Sequence, residues 1–114
     1  MFRNDYQKST ACKTLLALVF LGELWNDRPT EEALAFFSST SSHRQLSPGQ
    51  KTLLKAVFSI WNPYFQEARI GEAIVYLESS AQKALWELLL ASAEKDKGEA
   101  VDLWLKEWTP CPRL

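Results

Sequence analysis

The chain has one histidine, His43, and it follows a hydroxyl-rich run, Ser38 to Ser42. This is where nucleophilic catalysis would be sought. A serine becomes a nucleophile when a histidine takes its proton and a carboxylate holds the ring in place. No carboxylate lies in the run, and no strand–turn–helix pattern surrounds it. Residues 38–45 therefore read as a solvated linker.

Metal chemistry fares no better. Cys12 and Cys111 stand near opposite ends of the sequence, and neither has a second ligand at metal-binding spacing. No Glu-x-x-His pair is present to hold a di-iron centre inside a bundle. A bridge between the two cysteines is geometrically allowed, because domain termini often lie close together. Free thiols in a reducing cytoplasm are the simpler reading. The four glycines, Gly22, Gly49, Gly71 and Gly98, form neither a phosphate loop nor a dinucleotide fingerprint. Glu23 with Asp27, and Asp96 with Glu99, have the spacing of shared helix faces or caps, which is the ordinary work of surface carboxylates. No catalytic residue, cofactor or metal is expected, and the residue pattern points away from an enzyme.

The least ordinary feature is aromatic. Five tryptophans occur in 114 residues, and each brings a large apolar area with one polar handle. Trp25 and Trp61 read as core. Trp104 and Trp108, on the last expected helix with Val101 and Leu105 beside them, read as the candidate interface for a protein partner or a second copy. The alternative is a small apolar or cationic molecule in an aromatic cavity, with Tyr64, Tyr76 and Trp86 as lining.

These side chains need elements to carry them. Ser47, Pro48 and Gln50 form a capping-box start, and Leu53, Leu54, Val57, Phe58, Ile60 and Trp61 make the apolar stripe of a helix stopped by Asn62-Pro63. Lys13 to Phe20 (KTLLALVF) echoes Lys51 to Phe58 (KTLLKAVF), and the similarity continues at an offset drifting between 36 and 40 residues. Either duplication of 13–37 and 51–77 or convergence on a core pattern explains it; both imply helical hairpins. A first helix capped by Ser9 or Thr10 should reach about Asn26, and a second should span 30–38. Ile70, Ala73, Ile74 and Leu77 share one face of a fourth helix; the β-prone 73–77 run has no partner strand, so helix is preferred. Ser79 with Gln82 has capping-box spacing for a fifth helix, and Asp96 with Glu99 for a sixth ending at Trp108-Thr109-Pro110.

The expected fold is thus all-α: one domain, a compact bundle of about six short helices arranged as hairpins. Residues 1–8 are expected to fray, and 109–114 to form a tail. Thirteen basic against fourteen acidic residues leave a net charge of −1. That balance gives nucleic acid or an anionic membrane surface no electrostatic purchase. The apolar run from Leu15 to Gly22 falls short of the about 20 residues a bilayer needs and lacks a leader-type cleavage site. The sequence therefore suggests a cytoplasmic interaction module.

Overall fold

A computed structural model describes residues 1–25, 46–65 and 68–109. Five α-helices and one short 3-10 turn make an all-α bundle, with no strand among the described residues. The helices are α1 (Asp5–Ala17), α2 (Pro48–Trp61), α3 (Ile70–Tyr76), α4 (Ser79–Ala93) and α5 (Glu99–Trp108); the 3-10 turn is Gly22–Leu24. The helix expected over 30–38, the linker with His43, Cys111 and the last residues of the tail lie outside the described residues.

Packing centres on α1, which touches α2, α4 and α5. Its Ala11, Cys12, Leu15 and Leu16 are fully buried, joined by Leu53, Leu54 and Val57 of α2 and by Ala84 and Leu88 of α4. Trp25 fills the space between the 3-10 turn and α2. Its ring meets Phe58 and Trp61 edge-on, at 5.9 and 5.5 Å between centroids. Its indole N–H donates to Ser9 Oγ at 2.9 Å.

The start of α2 is as expected: Ser47 Oγ accepts from the Gln50 amide, and Gln50 Oε1 accepts from the Ser47 amide. Four other boundaries differ. α1 starts at Asp5, with Asn4 Oδ1 accepting from the Gln7 amide, so 5–8 are helix rather than fray. The polar side chains there are spent on α5. Arg3 pairs with Asp102, while Gln7 Nε2 donates to Gly98 O and to Asp102, both at 2.8 Å.

α1 also ends early, at Ala17, instead of running to Asn26. Phe20 takes a left-handed backbone at φ 63. The Leu21 amide then donates back to Leu16 O and the Phe20 amide to Ala17 O, closing the helix end. Leu16 and Leu21 are both buried beneath that closure.

Ser79 is inside α4 and Glu78 precedes it, so the expected capping box is absent. Gln82 instead donates across to Ala73 O, Ile74 O and Leu77 O, satisfying carbonyls at the end of α3. α5 starts at Glu99 with Gly98 as its N-cap, so the expected Asp96–Glu99 box is absent; Asp96, two residues before the cap, still accepts from the Gly98 and Ala100 amides.

The internal echo holds only in part. Thr14 and Thr52 occupy matching places and make the same bond one turn back, to Thr10 O and Pro48 O, each at 2.8 Å. Both threonines are buried. Beyond Ala17 the two copies part: Val57-Phe58 continue a helix in the core, whereas Val19-Phe20 form a turn with Phe20 in solvent.

Candidate functional site

The four interface candidates on α5 do not make an exposed face. Val101 and Trp104 are core residues, and the Trp104 indole N–H donates to Ala84 O at 2.8 Å, locking α5 onto α4. The reason is geometric. Positions 101, 104, 105 and 108 share the face that α5 turns towards α1 and α4. Leu105 and Trp108 are half-buried against the same core. The Trp108 Nε1 atom is buried and donates to no group among the described residues.

Nor do the three ligand-lining candidates converge on one cavity. Tyr64 is exposed in the turn after α2, where its amide donates to Asn62 Oδ1 at 3.1 Å. Tyr76 lines an open cleft beside Phe20, Gly49 and Glu78, with a volume of about 570 Å³. Trp86 lines a separate, smaller cleft of about 110 Å³.

Exposed apolar side chains lie at both clefts, Phe20, Val75 and Tyr76 at the first and Ile70 and Leu89 at the second. The floor of the second comes from Ala56 and Ile60 of α2, Ala73 of α3 and Leu85 of α4, with Ile70, Trp86 and Leu89 around the mouth. Helical periodicity extends the patch. Ile74 lies one turn along α3 from Ile70, and Leu90 one turn along α4 from Trp86. Ile70 is 70% exposed and Leu90 is 71% exposed. The sequence pattern placed Ile70 and Ile74 in the core with Ala73 and Leu77; only Ala73 and Leu77 are buried there. Ala73 with Leu77 and Ile70 with Ile74 are two neighbouring i, i+4 rows, and α3 is turned so that the first row meets the core and the second meets solvent.

Charge at the mouth is sparse and mixed. Arg69 lies against the cleft and faces Glu72 at 3.9 Å, with most of the Arg69 side chain in solvent. Among the described residues Thr52 and Ser59 are the hydroxyls lining it, and Thr52 is already bonded to Pro48 O.

The remaining titratable groups with displaced values are elsewhere. Cys12 is a free buried thiol whose pKa is pushed up to about 12 by burial, with Lys8 opposing. Such a thiol is inert. Asp102 is held below its ordinary value by hydrogen bonds from Arg3 and Gln7, and Asp96 by the Ala100 and Gly98 amides. Both stabilise the start of α5.

Among the described residues there is no cluster of three or more His, Cys, Asp or Glu side chains that could hold a metal, and no helix long and apolar enough to cross a membrane. The chain matches no protein-family model, no curated protein and no solved structure.

Of the residues lining the cleft, Trp86 stood out in the sequence by type. Ile70 and Leu89 did not, nor did Leu90 one turn from Trp86, since an aliphatic residue within a helical apolar pattern reads as core. A helical wheel gives the available signal: Leu90 lies opposite the Ala84–Leu88 face that α4 buries.

Proposed function

We propose that this chain is a non-catalytic protein-interaction module of the cytoplasm, working through the apolar face that α2, α3 and α4 present around Trp86. One observation carries this reading. A cleft of about 110 Å³ has the solvent-exposed Ile70 and Leu89 in its lining, with exposed Ile74 and Leu90 one turn further along the same two helices. Ligand pockets commonly run from about 300 to 1,000 Å³, so a cleft this size suits one side chain of a partner rather than a whole small molecule. A buried anchor in a small apolar pocket, surrounded by weaker contacts, is how protein interfaces gain most of their energy. The cytoplasmic assignment rests on the near-neutral charge and on Cys12 being a free thiol.

The test needs no known partner. Amphipathic helical peptides selected from a displayed library should include binders whose signal disappears in Ile70→Asp and persists in Leu103→Ser, a change at an exposed site on α5, which contributes nothing to the cleft lining. Self-association, scored by sedimentation velocity, should depend on the same face. If neither peptide binding nor self-association depends on Ile70, the reading fails.

A second reading is favoured by the other cleft, whose volume of about 570 Å³ lies in the small-molecule range. Phe20 and Tyr76 would offer aromatic faces there, and Glu78 a negative charge, to an organic cation. A panel of quaternary ammonium and apolar compounds should raise the melting temperature of the wild type but not of Tyr76→Ala. No shift with any compound removes this reading.

A further inference from the structure

The same apolar face suggests which partner it takes. We infer that it pairs with a second copy of this chain across a two-fold axis, Leu90 of each protomer entering the Trp86 cleft of the other; this rests on the interaction-module reading above. Three observations lead there.

The first is size. An engineered apolar cavity of about 150 Å³ takes a benzene ring. One of about 110 Å³ has room for a single branched aliphatic side chain. Leu90 is such a side chain, 71% exposed on α4 one turn from Trp86. It cannot enter the cleft of its own protomer, because it points away from the buried face of its helix. Knob and hole therefore sit side by side on one surface, which is what a self-complementary two-fold interface requires.

The second is area. A stable interface takes about 800 Å² from each partner, with an apolar centre and a polar rim. Ile70, Ile74, Trp86, Leu89 and Leu90 supply such a centre on two adjacent helices. Scattered exposed leucines need no explanation, but Ile70, Trp86 and Leu89 line one cleft, and Ile74 and Leu90 extend that surface by one helical turn each.

The third is charge. The rim carries both signs in Arg69 and Glu72, and the whole chain has a net charge of −1. Two copies meet almost no mutual repulsion, and an Arg69–Glu72 pair on each rim can face its counterpart without setting like charges together. A one-signed rim would have indicated an oppositely charged foreign partner.

The reciprocity can be tested directly. Leu90→Ser removes the knob, and Ala56→Leu fills the hole from the α2 side. Circular dichroism melting should show both variants folded. Sedimentation equilibrium over micromolar concentrations should show the wild type as a dimer. Each variant alone should associate at least about tenfold more weakly, the loss expected on removing an interface anchor. An equimolar mixture of the two should regain association, because the intact knob of Ala56→Leu fits the intact hole of Leu90→Ser. A wild type that stays monomeric overturns the inference, as does a mixture no stronger than its components. A monomer that still binds Ile70-dependent helical peptides overturns the two-fold pairing alone and leaves the interaction module standing.

Discussion

Trp25 and Ser9 meet inside the protein, the indole N–H donating to the hydroxyl at 2.9 Å with both residues out of solvent. The bond ties the 3-10 turn to α1 and leaves the tryptophan free to pack edge-on against Phe58 and Trp61. Ser9→Ala strands a buried donor, which costs about 1–3 kcal/mol. Trp25→Phe in the Ser9→Ala background removes the stranded group, so the two substitutions should be less than additive in a double-mutant cycle. Urea unfolding followed by circular dichroism measures both quantities. Strict additivity would show that the bond contributes nothing.

Gly98 and Phe20 both sit at left-handed backbone angles, φ 84 and φ 63, and they should respond to substitution with opposite signs. A Cβ on Gly98 would lie 2.6 Å from Gln7 Oε1 and 2.9 Å from Arg3 Cβ. Gly98→Ala should therefore cost more than the about 1–2 kcal/mol of the left-handed backbone alone. Phe20 is 81% exposed and recovers little by burial. Phe20→Gly should stabilise by about 1 kcal/mol, since glycine adopts that angle without strain. Denaturant midpoints should move down for the first and up for the second.

Asp102 and Asp96 make stability depend on acid. Both carboxyls have folded pKa values below the ordinary 3.8, Asp102 through Arg3 and Gln7 and Asp96 through backbone amides. A lowered folded value means the carboxylate form is favoured by folding. Its contribution is complete above the ordinary value and is lost as pH falls through the lowered one. Melting temperature should fall as pH drops below about 4, and fall less in Asp102→Asn, which begins lower at neutral pH. Parallel curves for the two proteins would assign the acid response to other groups.

Cys12 should be unreactive in the folded chain, because burial pushes its pKa up to about 12 and seals it beneath α1. In a Cys111→Ser background, modification by a thiol reagent at neutral pH should proceed only as fast as the protein opens, and should accelerate sharply through the urea transition. Rapid labelling under native conditions would mean that α1 opens locally.

The legible parts of the fold are those whose causes are local. Ser47, Pro48 and Gln50 announce the start of α2 because the cap bonds run between residues three apart. Asn62-Pro63 announces its end by sterics within one dipeptide. The end of α1 was not legible, since phenylalanine rarely takes the left-handed closing position and Leu18, Val19 and Leu21 carry the apolar pattern past it. Gln82 resembled a capping-box residue by spacing, yet its amide is used on α3, whose position the spacing cannot encode. Of the candidate site, only Trp86 was marked by its chemistry.

By itself the sequence determined the helical class and the main helix in the middle of the chain, because side-chain periodicity and capping act over a few positions. The tertiary structure decided which apolar residues remain outside. Trp104 and Val101 went into the core while Ile70, Ile74 and Leu90 stayed in solvent. That division depends on which helix lies against which: α5 is held onto α1 and α4, whereas α3 turns its Ala73–Leu77 row and α4 its Ala84–Leu88 face to the core, leaving Ile70, Ile74 and Leu90 on the outer sides.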